Sequence, residues 1–188
     1  MKLTTLAAAL LLLSPIALVA QTDAMPPDTA APHQDTPGHV MPAVKDSKTL
    51  TVSFRGAATV LTLTDLMNLP HVTITVHDGH TNKDVTFTGP LVSDVLAKAG
   101  LVGSEETHQL ILHSTVVATG ADGYYVIYSA AELEPLFAGS KSIIAVMRGE
   151  LPNTEGGLIQ LVNSTDTKPA RWVHGLTNLN VMSLAASK

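Results

Sequence analysis

The chain has 188 residues, 45% of them hydrophobic, 14% charged and 4% aromatic, with a formal net charge of −5 and no cysteine. That length suits one globular domain with some additional chain, and 11 basic against 16 acidic residues provide no positive excess of the kind nucleic-acid binding needs. Zero cysteines exclude disulfides, thiolate nucleophiles, Cys-ligated zinc, iron–sulfur clusters, Cys-attached haem and lipoprotein anchoring.

Residues 1–20 read as a signal peptide. Lys2 is the positive charge, Leu6 to Leu13 is an unbroken apolar run, and Ala20 places a small residue before Gln21. The run is shorter than the about 20 residues of a membrane span. A periplasmic or secreted protein with no membrane span in the mature chain is expected. Residues 21–47 hold five of the 11 prolines (Pro26, Pro27, Pro32, Pro37 and Pro42) and no hydrophobic period. Proline fixes φ and removes an amide donor, so this stretch is expected to be a disordered Pro-rich linker. His33, His39, Met25 and Met41 are read as part of it and not as copper ligands.

From Lys48 to Lys188 the composition becomes that of a folded domain. Leu50 to Phe54 alternates as a half-buried strand, Gly56 punctuates it, and Val60 to Leu63 continues the β pattern. Thr64 is expected to cap a helical turn with Leu66 and Met67, stopped by Pro70. Val72, Ile74 and Val76 point to one face of the next strand, and His71, Thr73, Thr75 and His77 to the other. Asp78-Gly79 is a two-residue turn signal, with Val85 and Phe87 on the returning strand. Gly89–Gly100 reads as a helix, with Pro90 in its first turn, an apolar stripe through Leu91, Val92, Val95, Leu96 and Ala99, and Gly100 as its left-handed cap.

Strands are expected at Gln109–Val116, Tyr124–Tyr128, Ser142–Met147, Leu158–Val162 and Leu176–Met182. Ser129 and Glu132 have capping-box spacing for a short helix limited by Pro135. This irregular mixture predicts an α+β fold and not a doubly wound parallel sheet.

Five segments in this order resemble a known family. They are Thr62-Leu-Thr-Asp-Leu66 through Leu69-Pro70; Thr88-Gly-Pro-Leu-Val-Ser-Asp-Val-Leu-Ala-Lys-Ala-Gly100; Ala121-Asp-Gly-Tyr124 running into Ser129-Ala-Ala-Glu-Leu133; Glu155-Gly-Gly-Leu158; and Lys168-Pro-Ala-Arg-Trp-Val173. Over residues 48–183 the chain resembles the oxidoreductase molybdopterin-binding domain family, most of all its short exported single-domain members. The resemblance implies a mixed, strand-rich, sulfite-oxidase-type molybdopterin-binding fold with a few short helices, and molybdopterin as cofactor. It also implies a molybdenum-ligating cysteine between the first helical turn and the apolar helix, where this chain has none, and a pocket arginine where it has Ile159. Thiolate is a soft anionic donor that imidazole does not replace.

The function expected is therefore an exported, catalytically inactive domain of this family that binds a small anionic or metal ligand or a partner protein. The alternatives are an oxidoreductase holding molybdopterin without cysteine, and an assembly or structural partner of an exported redox protein. If Asp78-Gly79 is the turn, His77 and His80 stand opposite each other with Cβ atoms about 5 Å apart, able to share a metal; a shift to Gly79-His80 removes that geometry. Lys168 and Arg171 are candidate anion-binding cations, as two nearby cations suit a phosphate. Tyr124 and Tyr128 share a strand face and are candidate pocket residues. Trp172 is expected in the core with Arg171 on the opposite strand face, and His113 buried in an apolar strand. Ser114, Ser129 and Ser164 lack a nucleophile-elbow context, and no Gly-rich phosphate loop is present.

Overall fold

Leu50, Val52 and Phe54 turn every second side chain of β1 (Thr49–Phe54) into the interior of the computed structural model, which describes residues 44–78, 82–137 and 141–184. The expected signal peptide and the linker up to residue 43 lie outside the described residues. Packed chain begins ahead of Lys48: Ser47 is buried and donates its N–H to the Gly157 carbonyl at 2.9 Å.

Arg55 and Gly56, both at positive φ (51° and 79°), form the two-residue turn into β2 (Ala57–Thr62). This is the mirror-image turn whose twist matches antiparallel strands. The cap of α1 (Leu63–Met67) is Thr62, not the expected Thr64. Asp65 decides this by completing a capping box: its N–H donates to Thr62 Oγ1 (3.1 Å), and its carboxylate accepts the Thr62 N–H (2.8 Å). The Thr62 hydroxyl and amide together hold the Asp65 carboxyl below its ordinary range.

The hairpin of β3 (Val72–Asp78) and β4 (Lys83–Gly89) does not turn at Asp78-Gly79. The last pair is Asp78 with Lys83, and His77 faces Asp84, leaving a longer loop between them. Any two-residue shift keeps Ile74 and Val76 inward, so the apolar pattern could not choose. The outer-face pairs choose instead: Thr73 with Thr88 (2.9 Å), Thr75 with Thr86 (3.3 Å) and His77 with Asp84 (3.0 Å).

Helix α2 (Val92–Lys98) starts later than the expected Gly89. Gly89 ends β4 so close to a neighbouring strand that a Cβ there would meet the Ile144 oxygen at 1.9 Å. The Thr88 and Pro90 carbonyls accept from Val146 (3.0 Å) and Ile144 (2.8 Å), which keeps the chain extended as far as Leu91. Gly100, at φ 92°, closes the helix as expected.

The expected strand from Gln109 is instead helix α3 (His108–Leu112), followed by β5 (Ser114–Gly120). Leu110-Ile-Leu112 is too short an apolar run to declare its period. His113 ends α3 and is exposed, not buried. There follow β6 (Tyr125–Ser129), α4 (Ala130–Leu133), β7 (Ser142–Ala145), β8 (Met147–Arg148), β9 (Leu151–Pro152), β10 (Gln160–Asn163) and β11 (Leu176–Ser183). Ser129 precedes α4 as expected but makes no side-chain cap, and Glu132 reaches Arg171.

The strands form three sheets, ordered β2-β1-β11-β5-β6, β10-β7 and β3-β4-β8-β9. Among the described residues, β1 and β11 alone pair in parallel, and every other ladder is antiparallel. The arrangement is the expected α+β, strand-rich with short helices. The β7–β10 ladder is buried on both faces and divides two apolar clusters. Ile144 and Leu161 face the larger one, with Leu50, Leu66, Val95 and Leu179. Ile143, Ala145 and Val162 face the smaller one, with Ile74, Val76, Phe87 and Trp172. The candidate site lies at the margin of this second cluster.

Candidate ligand-binding cleft

Phe87, on the inward face of β4, meets Trp172 edge-on at a centroid distance of 5.6 Å. Trp172 is the chain's single tryptophan and is 6% exposed, in the core as expected. The two rings form the apolar floor of a cleft of about 550 Å³, whose polar lining includes Arg148, Gln160, Lys168 and His174. Asp78 also lines it, because it shares the face of β3 that carries Ile74 and Val76 inward.

Arg148, at the end of β8, lays its guanidinium over the Phe87 ring at 5.6 Å and pairs with Glu155 at 2.6 Å. Another part of the lining holds Lys168, exposed and without a carboxylate partner among the described residues. Lys168 caps the 3-10 turn Pro169–Arg171, whose Pro169 and Ala170 also line the cleft and which is begun by proline where no amide donor is missed.

Hydrogen bonding fixes the lining at Gln160 and His174. Asn153 accepts the Gly156 N–H at Oδ1 (3.1 Å), so its amide NH₂ faces Gln160 Oε1 (3.0 Å). Gln160 therefore presents its own NH₂ to His174 Nε2 (3.2 Å), which must accept. In the neutral ring the proton then lies on Nδ1, facing the Glu155 carbonyl at 3.4 Å. Asn153 and Gln160 are 1% exposed, and buried amides of this kind hold a geometry only when their partners are all in place.

The residues singled out in the sequence are brought together only in part. Lys168 lines the cleft. Tyr124 and Tyr128 lie on one side, as expected, but brace the 3-10 turn: their hydroxyls donate to the carbonyls of Ala170 and Arg171. Burial pushes the Tyr128 phenol well above its ordinary range. Arg171 lies in the 3-10 turn and not on a strand face. Its N–H groups engage Asp166 (2.8 and 3.1 Å) and Glu132 (2.9 Å), and its guanidinium covers the Tyr128 ring at 4.8 Å. The Asp166 hydrogen bonds raise the Arg171 pKa further.

His77 belongs to the outer face of the hairpin, away from the cleft, where Asp84 raises its pKa above 6.5. His71 turns to the Leu66 carbonyl (3.3 Å) and does not join it. His80 lies outside the described residues. Ile159, where the family resemblance implies an arginine, is fully buried in the larger cluster.

Sequence reasoning missed Arg148, Gln160 and His174. The available signals were a lone cation closing the apolar run Ile143–Met147 and a glutamine opening the apolar run at Leu161. Neither has motif spacing, because the cleft gathers its residues from β3, β4, β8, β10 and the chain before β11.

No protein-family model and no curated protein matches the chain. Among solved structures, the crystal structure of the sulfane dehydrogenase SoxCD from Paracoccus pantotrophus is similar to it, with a TM-score of 0.57 and 17% sequence identity. The match covers 77% of this chain and 41% of that one. The likeness is one of fold, the sulfite-oxidase-type fold, and this chain spans about two-fifths of its neighbour's length.

Proposed function

We propose that this chain is an exported, non-redox member of the molybdopterin-oxidoreductase fold that binds a small anionic ligand with an apolar or planar body. The observation that carries this reading is the cleft, whose lining combines Phe87, Trp172 and Pro169 with two cations, Arg148 and Lys168, the latter without a carboxylate partner among the described residues. The apolar part of the lining takes up an apolar group, and two cations in one cleft orient a carboxylate or similar oxyanion.

The residues do not fit thiolate-bound molybdenum. The whole sequence has no cysteine, and no group of three or more His, Cys, Asp or Glu suited to a metal occurs among the described residues. Apart from its cations, the cleft's polar side chains are the Asp78 carboxylate, the His174 imidazole, the Gln160 amide and the Thr167 hydroxyl, and none supplies the soft anionic sulfur that holds high-valent molybdenum in the family. Export rests on the Leu6–Leu13 run and the small residue at Ala20.

Phenylacetate is a suitable probe, with phenylacetamide as its uncharged twin, and the fluorescence of Trp172 reports from the cleft itself. Phenylacetate should bind measurably better than the amide, and Lys168→Ala should weaken it about three- to tenfold. Absence of binding, or equal binding of acid and amide, would overturn the anion-binding reading. Protein from the native exported fraction should begin near Gln21 and carry far less than one molybdenum per chain. Stoichiometric molybdenum would overturn the non-redox reading.

A further inference from the structure

Arg148 lines two hollows. One is the cleft; the other, of about 440 Å³, lies across β8 and is lined by Asp84, Leu151 and Glu155 among others. The Arg148 side chain is three-quarters buried with its guanidinium over Phe87, whereas the Glu155 side chain that pairs with it is 71% exposed. The cation is thus the fixed member of the pair and the carboxylate the one free to leave.

The backbone beneath Glu155 is pinned on all sides. Gly156 N–H donates to Asn153, Gly157 N–H to Thr154 (3.1 Å), and the Gly156 carbonyl accepts from Gly175 (2.7 Å). A Cβ at Gly156 would meet Gln160 Oε1 at 2.2 Å, so the turn cannot shift without displacing the buried amides. Release of Glu155 is therefore a side-chain rotation, with its carbonyl still facing His174.

We propose that Glu155 is an internal competitor for the cleft's anion site: its carboxylate occupies Arg148 until an anionic ligand takes its place. The inference rests on the anion-binding reading above and deepens it. The Glu155 end of the pair is exposed to water, which screens it, so the exchange is easily reversed. The replacement is one carboxylate for another on a guanidinium fork, which favours a monoanionic carboxylate with two acceptor oxygens. Glu155 then sets how tightly the cleft holds its ligand, and Lys168 supplies the charge with which that ligand outcompetes it.

The test is titration of phenylacetate and phenylacetamide into wild type, Glu155→Gln, Glu155→Ala and Asp84→Asn, followed by Trp172 fluorescence and calorimetry. Asp84 lies in the same hollow but is paired with His77, so Asp84→Asn measures the general effect of removing a nearby negative charge. Both Glu155 variants should bind phenylacetate about three- to tenfold tighter, Asp84→Asn should change it less than twofold, and the amide should be indifferent throughout. Glu155 variants that bind no tighter than wild type, or no tighter than Asp84→Asn, overturn the competitor role while leaving the cleft reading intact. An equal gain for the amide overturns it too. Failure of every form to bind phenylacetate removes both.

Discussion

Replacing Arg171 with alanine should destabilise the domain strongly while sparing the cleft. Asp166 Oδ1 receives two Arg171 N–H bonds, at 2.8 and 3.1 Å. The Asp166 side chain is 9% exposed, and its Oδ2 is buried with no partner. Arg171→Ala strands that carboxylate without a counter-charge. Removing one member of a fully buried pair costs about 3–5 kcal/mol. Arg171 is 41% exposed, so water screens part of the loss, while its contact with the Tyr128 ring adds about 0.5–1 kcal/mol. The net expectation is about 2–4 kcal/mol, or a fall in Tm of about 6–15 °C for a folded domain of this size.

Urea melts of wild type, Arg171→Ala, Asp166→Asn and the double variant check this. The double variant should recover at least about 1 kcal/mol relative to additivity, because an amide needs no counter-charge. Phenylacetate affinity, measured cold where Arg171→Ala stays folded, should change less than twofold. A melt within 1 °C of wild type would refute the reasoning; a stable variant that loses the probe would put Arg171 in the ligand site.

Leu96→Ala, at a position buried in α2, should cost about 2–5 kcal/mol, whereas Lys98→Ala on the exposed face should stay within about 0.5 kcal/mol. Equal costs in denaturant melts would reverse the faces of α2. Gly89→Ala forces a methyl to 1.9 Å from a backbone oxygen and should cost more than about 3 kcal/mol or prevent folding, measured by thermal melt and soluble yield. His77 should titrate above 6.5 by NMR, and Asp84→Asn should lower it. A raised folded pKa means that the pair's stabilisation is fully present below about 6.5 and is lost as pH rises through the folded value. A His77 pKa indifferent to Asp84→Asn would sink that assignment.

Much of this protein follows from its sequence read locally. The inward faces of β1 and β3, the Gly100 helix stop and the α+β class are all legible, because period-2 alternation, helical stripes and glycine stops are local consequences of backbone geometry. The absence of cysteine is likewise final without coordinates, since no fold supplies a thiolate the chain lacks. Other features depend on partners distant in sequence. The hairpin register was open because two-residue slips leave the apolar face unchanged, and only the cross-strand polar pairs closed it at Asp78–Lys83. The start of α2 moved because Ile144 and Val146, more than 50 residues away, claim the carbonyls of Pro90 and Thr88. The cleft depends on tertiary contact most of all. Arg171 is a cation of the right type near Lys168, yet Asp166 and Glu132 absorb it outside the cleft, whereas Arg148, paired with Glu155, is the arginine that lines it. Charge and residue type are properties of sequence, but which cation lines the cleft, and which carboxylate it meets, depends on what the fold brings together.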